Sequence, residues 1–357
     1  MNELIINKED LLHNINVIKS KEKDDYQIIA VIKGNGYGLD IVKYANFLKD
    51  NGINFFAVAS YQEVLELRNN NFNEKLLLLT PYNDENIIKD LLDKNIIFTV
   101  DNIKQAKIIN DLSKNKVLAH IKIDTGLSRY GYKFDNISDI IETINQTPNI
   151  EYEGIFSHFS NSLAANSSFS NIQYNRFISV IDKLKENNIE FKLKHICNSS
   201  GYFKYPNMHL NAARIGSAFI GCAIGIPSNL KKIGTFHTKI VKILNVKKGD
   251  YIGYAKSYKV TKNMKVAVLP TGYYDGIGTT LISQKIKFKT RAKTLLIDIK
   301  RLFKKEDLYL DNYKVLGEIG MHDIILDVTN TDLKENDDVY FYIKPTSINK
   351  DVKRVYR

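Results

Sequence analysis

No apolar run in this 357-residue chain approaches the length of a membrane span, and Met1-Asn2-Glu3 opens no basic stretch followed by an apolar one. A membrane-spanning or exported protein is therefore not expected, and a cytoplasmic one is. There are only two cysteines, Cys197 and Cys222, too few for a disulfide framework. No low-complexity tract and no block of five basic residues occurs. That last absence matters because the formal net charge is +11. With acidic residues interspersed throughout, the excess is diffuse. It argues against a nucleic-acid partner and stays compatible with an anionic small ligand. Nothing in the pattern calls for a metal ion.

Apolar residues make up 44% of the chain and charged ones 25%, so it can bury an ordinary globular core. Short apolar runs at residues 28–32, 55–59, 76–79, 96–100, 117–123, 152–156, 191–196 and 212–215 read as strands. Helix-spaced segments at 40–49, 61–68, 83–92, 103–112, 137–144 and 174–186 lie between most of them. A short strand at 4–6 and a helix over 9–20, with Leu11, Leu12, Ile15 and Ile18 at helical spacing, precede the series. About eight β-then-α units predict a (β/α)8 TIM-type barrel, with a doubly wound open sheet as the alternative. Near residue 226 the helical periodicity stops. Strands at 236–244, 265–269, 285–288, 308–310, 324–328 and 339–343, separated by turn signals, predict a mostly β C-terminal domain. The expected division is 1–225 and 226–357, with the first residues free to pair with the β domain.

In such a barrel, chemistry belongs at the C-terminal strand ends. Those ends are Lys33, Lys122 with Asp124, His158, Asn198 with Ser199, and Arg214. Lys33 follows five apolar residues and precedes Gly34, Gly36 and Gly38, glycines that let backbone approach a ligand. A lysine there suits Schiff-base chemistry, and a snorkelling surface lysine is the plainer alternative.

Ala30-Val31-Ile32-Lys33-Gly34-Asn35-Gly36-Tyr37-Gly38 resembles the pyridoxal-phosphate lysine motif of alanine racemases. The likeness continues in order. It takes in Lys122-Ile123-Asp124-Thr125-Gly126-Leu127-Ser128-Arg129-Tyr130-Gly131, Gly154-Ile155-Phe156-Ser157-His158-Phe159, His195-Ile196-Cys197-Asn198-Ser199, Arg214-Ile215-Gly216, Gly253-Tyr254 and Gly272-Tyr273-Tyr274-Asp275-Gly276. The resemblance implies an isomerase that interconverts L- and D-amino acids with pyridoxal 5'-phosphate, supplying D-alanine for the cell wall. By it, Lys33 carries the cofactor and is the acid–base group on one face of the substrate. Tyr254 of the partner subunit in a homodimer serves the other face. Arg214 faces the ring nitrogen, and His158 links Tyr254 to that side. Tyr37, Asn198, Ser199, Gly216 and Ser217 hold the cofactor and its phosphate. Arg129 and Met321 meet substrate, and Lys122 is a candidate for carbamylation, the alternative being an ordinary lysine paired with Asp124.

Two departures stand out. Gly320-Met321-His322-Asp323 places His322 where many members have a carboxylate, so the preferred amino acid, alanine or serine, stays open. The family's late phosphate-binding tyrosine has no clear counterpart; Tyr356 is a substitute. A decarboxylase of the same fold type would be expected to use a cysteine in the second domain, and both cysteines fall before residue 226. A non-enzymatic pyridoxal-phosphate carrier would lack the β domain and Tyr254.

Overall fold

The structure is a computed structural model describing residues 2–21, 25–162, 168–222, 227–278 and 308–357. It forms two compact units, Lys8–Ile233 and Met1–Asn7 with Gly234–Arg357. The chain opens with β1 (Glu3–Ile6), which belongs to the second of these.

The first unit is the barrel. Its strands are β2 (Gln27–Val31), β3 (Phe55–Val58), β4 (Lys75–Leu78), β5 (Phe98–Val100) and β6 (Val117–Asp124), then β8 (Ile150–Phe156), β9 (Leu193–His195) and β10 (Ala212–Ile215); the two-residue β7 (Tyr132–Lys133) flanks β6. They pair in the order β4-β3-β2-β10-β9-β8-β6-β5, every contact parallel, and a bridge between Leu77 and Ile97 closes the ring. Strands covered on both faces need apolar residues at almost every position, which is why these runs read as continuous rather than alternating. Ile29, Val31, Phe55, Ala57, Leu77, Ile97, Leu193 and Ala212 form one buried cluster.

Helices α1 (Lys8–Lys19), α2 (Lys33–Tyr37), α3 (Ile41–Asp50), α4 (Tyr61–Asn69), α5 (Glu85–Leu92), α6 (Ile103–Leu112), α7 (Ile137–Gln146), α8 (Ser168–Glu186) and α9 (Ser199–Lys204) punctuate the strands. Local caps set where several of them begin. Asp40, Asp84, Asn102 and Asn198 accept first-turn amides, and Ser60 with Glu63 makes a reciprocal capping box. In α3 the expected face, Ile41, Tyr44, Ala45 and Leu48, is buried. In α1 the face is rotated. Leu12 is exposed and Asn14 is buried in its place, its amide donating to the carbonyls of Phe219 and Lys231, both at 2.8 Å. The final long helix begins at Ser168, six residues before the expected start.

The second unit contains β11 (Thr235–Lys239), β12 (Lys242–Val246), the hairpin β13 (Tyr251–Ile252) and β14 (Tyr258–Lys259), β15 (Met264–Leu269), β16 (Leu308–Leu310), β17 (Tyr313–Val315), β18 (Ile324–Asp327), β19 (Asp338–Tyr342) and β20 (Lys353–Tyr356). The single strand expected over 236–244 is two strands, interrupted at Ile240-Val241. The strand expected at 285–288 lies outside the described residues. One sheet has the order β19-β11-β1-β20, the other β12-β15-β18-β17-β16. β1 joins the first by running antiparallel to β11 and parallel to β20. Phe236 and Phe341 stack between buried aliphatics, with ring centroids 5.3 Å apart. Among the described residues, no helix is long and apolar enough to cross a membrane.

Candidate active site

After β2 the backbone enters an unusual conformation. Gly34, Asn35, Gly36, Tyr37 and Gly38 all have positive φ, between 53° and 85°. This is a turn of left-handed helix, closed by amides of Gly36 and Gly38 donating to the carbonyls of Ile32 and Gly34, both at 2.9 Å. Each side-chain-bearing residue in that region costs about 1–2 kcal/mol, so three glycines in five residues make the turn affordable. At Gly36 an added Cβ would also lie 3.1 Å from the Ile41 backbone. Two side chains fasten the turn. Asn35 accepts the Ile41 amide at 2.9 Å, and Glu63 on α4 accepts the Gly34 amide at 2.5 Å and the Ala59 amide at 2.8 Å. The turn thus holds Lys33 over the C-terminal mouth of the barrel. Lys33 is exposed to solvent, yet protein atoms crowd close enough to desolvate its amine in part. That partial desolvation, with the Arg129 and Arg214 cations nearby, lowers its amine below the ordinary lysine value.

The mouth holds a cavity of ≈ 360 Å³. Lys33, Tyr37, Lys122, Arg129, His158, Asn198, Ser199, Arg214, Gly216 and Ser217 all line it. Sequence positions nearly 200 residues apart are thereby brought to one space. Four of the lining side chains are cationic types, and none of the described lining residues is acidic.

Arg214, on β10, is buried. One terminal nitrogen donates to the Ser157 carbonyl at 2.7 Å and to His158 Nδ1 at 3.0 Å; the other donates to His195 Nδ1 at 2.5 Å. A guanidinium can only donate, so both histidines accept through Nδ1 and carry their proton on Nε2. Burial, then the surrounding cations, hold His158 and His195 well below the ordinary imidazole range, so both are neutral. Phe156 lies under this group, its ring centre 4.9 Å from Arg214 and 4.7 Å from the Lys122 ammonium position.

Lys122 is buried, and among the described residues its amine hydrogen-bonds only the Ile123 carbonyl, at 3.3 Å. Burial and the Arg214 and Arg129 charges depress its proton affinity far below that of free lysine. The alternative pairing of Lys122 with Asp124 is not what the structure shows. Asp124 instead accepts the amides of Gly126, Leu127 and Ser128, each at 3.0 Å, and pairs with Lys133 at 2.6 Å. Burial raises its carboxyl, but Lys133 and the amides outweigh it and bring the value down to about 2. Asp124 shapes the loop that presents Arg129.

On the other side of the cavity, Ser199 Oγ accepts the amides of Gly216 and Ala218 at 3.1 and 3.2 Å, leaving its own proton to donate. Gly216 is required there, since a Cβ would meet the Tyr37 hydroxyl at 2.3 Å. Burial pushes the Tyr37 phenol up to about 12, so it stays a donor. Asn198 caps α9 and accepts from Ser162 at 2.9 Å.

Tyr254 and Met321 belong to the second unit. Tyr254 is 73% exposed, on a turn where Gly253, Ala255 and Lys256 all have positive φ. Met321 is exposed on a loop pinned by the Tyr273 amide to the Gly320 carbonyl at 3.0 Å and the Tyr274 amide to the Met321 carbonyl at 3.2 Å. A Cβ at Gly272 would meet the Gly320 carbonyl at 2.1 Å, so that contact needs glycine. His322 packs on Tyr274, with centroids 5.0 Å apart. Tyr356 sits on β20 opposite Ile6 of β1.

Sequence reasoning assigned no role to His120, Glu153, His195 or Glu63. The first of these was detectable in principle. His120, Lys122 and Asp124 recur every second residue along a strand otherwise buried, a polar face that must point into the barrel. Glu63 was hidden because its partner is a backbone amide.

Two family models match the chain: the alanine racemase N-terminal domain over residues 6–223 and the alanine racemase C-terminal domain over residues 233–355. Alanine racemase from Clostridium tetani is 33% identical over 344 residues, covering 94% of this chain and 84% of that one. The enzyme of that name from Borreliella burgdorferi is 32% identical over 283 residues, covering 77% and 75%. The solved structure of alanine racemase from Clostridium difficile 630 superposes with a TM-score of 0.86 at 26% identity, covering all of this chain and 95% of that one.

Proposed function

The chain belongs to the alanine racemase family and is an isomerase of that family; on this premise we propose that it interconverts the enantiomers of a small amino acid, alanine or serine, using pyridoxal 5'-phosphate. One observation carries the reading most. A lysine at a strand end opens onto a cavity lined with cationic types and, among the described residues, no carboxylate, which suits two anions, a phosphate and an amino-acid carboxylate.

The residues present fit the cofactor. Lys33 would hold it covalently. Ser199, Tyr37 and the Gly216-Ser217 backbone would take its phosphate, since Gly216 leaves the backbone bare and Ser199 keeps a free proton. Arg214 would meet its ring nitrogen. When bound, the cofactor withdraws electrons from the substrate's α-carbon and so makes that C–H acidic. A guanidinium keeps its own proton, so Arg214 leaves the ring nitrogen unprotonated and limits that withdrawal.

Lys33, once free of the cofactor, takes or returns the α-proton on one face, helped by its lowered proton affinity. The Tyr254 phenol, from a second copy of the chain, serves the opposite face, and its exposure in one copy is consistent with that task. Arg129 forks onto the substrate carboxylate. Lys122, its proton affinity lowered by burial and with no carboxylate in hydrogen-bond contact among the described residues, in its unprotonated form adds carbon dioxide and releases a proton; the resulting carbamate supplies the anion that holds Arg129.

Two measurements test the reading. Lys33→Ala should abolish borohydride-stable cofactor attachment and lower alanine racemisation by at least ~10⁴-fold, the scale of a lost acid–base group that also carries the cofactor. Persistence of the cofactor absorbance in that variant sinks the assignment. A chiral assay across L-alanine, L-serine and basic amino acids then assigns the substrate.

A further inference from the structure

Behind Arg214 a chain of polar side chains continues away from the cavity, through the interior of the barrel. His195 Nε2 lies 3.0 Å from His120 Nδ1, His120 Nε2 lies 3.4 Å from Glu153 Oε1, and Lys75 holds the Glu153 carboxylate at 2.9–3.0 Å. Both histidines are fully buried. Phe156 stacks on His195 at 5.0 Å and Phe55 packs edge-on to His120 at 6.1 Å, so the sides of the chain are apolar.

The two ends of this chain dictate its direction. Arg214 can only donate and a carboxylate can only accept. Between them there is one consistent arrangement: Arg214 donates to His195 Nδ1, His195 Nε2–H donates to His120 Nδ1, and His120 Nε2–H donates to Glu153. Both imidazoles must therefore be neutral, with the proton on Nε2. Burial of both rings, and of Glu153 against His120 and Lys75, agrees: the histidines are held below their ordinary value and, although burial raises it, the Glu153 carboxyl is brought down to about 2.

The local backbone is built for this contact. In the β6–β8 pairing, Ala119 lies opposite Tyr152 and His120 opposite Gly154, so Glu153 is the extra residue of an irregularity that turns its side chain toward His120. Gly154 makes the room, since a Cβ there would come within 2.5 Å of the His120 ring.

We propose that Glu153 and His120 are positioning residues for Arg214: the carboxylate locks the tautomers of two histidines in series, so that His195 always offers a bare Nδ1 to the guanidinium. The functional consequence rests on Arg214 facing the cofactor, as proposed above. Remove the acceptor and His120 Nε2–H is buried without a partner. The relief is to move that proton to Nδ1, which faces His195 with a second donor and drives its proton toward Arg214 in turn. A group that touches neither substrate nor cofactor thus sets where Arg214 sits.

The test is nitrogen-15 NMR of the purified protein labelled at its seven histidines, with His195 and His120 assigned by single substitution. The unaltered protein should show His195 and His120 as single, neutral Nε2–H forms. Glu153→Met should give mixed tautomers at His195 and lower kcat on alanine by about tenfold, as for other partners that fix a histidine tautomer, with KM unchanged. Glu153→Gln, whose amide oxygen still accepts, should restore the single form and most of kcat. An Nδ1–H or mixed His195 in the unaltered protein overturns the proposal even if no variant folds. So does a His195 signal that Glu153→Met leaves unchanged. The tautomer readout needs neither cofactor nor turnover, so failure of the cofactor reading would show in the Lys33→Ala spectra and leave these signals intact.

Discussion

The two halves of the barrel interior are built on opposite rules. From β2 to β5 it is filled mainly by Ile29, Val31, Phe55, Ala57, Leu77 and Ile97, an apolar cluster that Leu193 of β9 and Ala212 of β10 complete. From β6 to β10 it holds Lys122, His120, His195 and Arg214, each buried, with Glu153 against His120. A buried polar group is tolerated only when hydrogen-bonded, so the second half needs directed partners where the first needs only volume. Packing should therefore carry most of the stability in the first half, while the second holds the buried polar network; Lys33, at the end of β2, reaches the cavity from the first half.

Replacing Arg214 by Met would make the polar half resemble the apolar one. Racemisation of alanine should fall by about 10²–10³-fold, the scale of a lost preorganised charge, while the protein still folds. A variant with near-normal kcat would erase the contrast. The converse change is Leu77→Ala, which should cost about 3 kcal/mol of unfolding free energy by urea titration with kcat unaltered. Lys122 probes the boundary. A carbamate signal from carbon-13 bicarbonate should appear in the unaltered protein and be missing from Lys122→Met; its absence from both would leave Lys122 an ordinary buried amine.

A smaller effect concerns acid stability. The Asp124 carboxyl is depressed to about 2, below its unfolded value. Its contribution is therefore complete above the unfolded carboxylate pKa and is lost as pH falls toward 2. Asp124→Asn should flatten the decline in melting temperature across that window, and an unchanged slope would remove Asp124 from the account. Smallest is Thr99→Val. Thr99 Oγ1 is buried on β5 with no hydrogen-bond partner among the described residues, a polar atom in the apolar half. The isosteric change should raise stability by about 1 kcal/mol, and a loss would show that the hydroxyl has a partner after all.

The sequence by itself determined a good deal. Alternating apolar runs and helix-spaced segments specify strands, helices and their order, because burial on both faces of a strand and on one stripe of a helix leaves a periodic trace. The barrel made its strand ends meet, so Lys33, Lys122, His158, Ser199 and Arg214 were nominated before any distance was known. Gly34, Gly36 and Gly38 stood out as a place where backbone could approach a ligand, though not as a left-handed turn.

Only the tertiary structure decided who partners whom. Asp124, two residues away on the same strand, was the alternative partner for an unmodified Lys122, but its carboxylate turns to Lys133 and three loop amides. The first residues were left free to pair with the β domain, but that β1 runs between β11 and β20 was not legible. The link from Arg214 to Glu153 depends on one irregularity between β6 and β8. The reason is common to all three. Local patterns record which residues are buried, whereas a hydrogen bond depends on where two backbones stand to within a few tenths of an ångström, and that is settled by the packing of the whole unit.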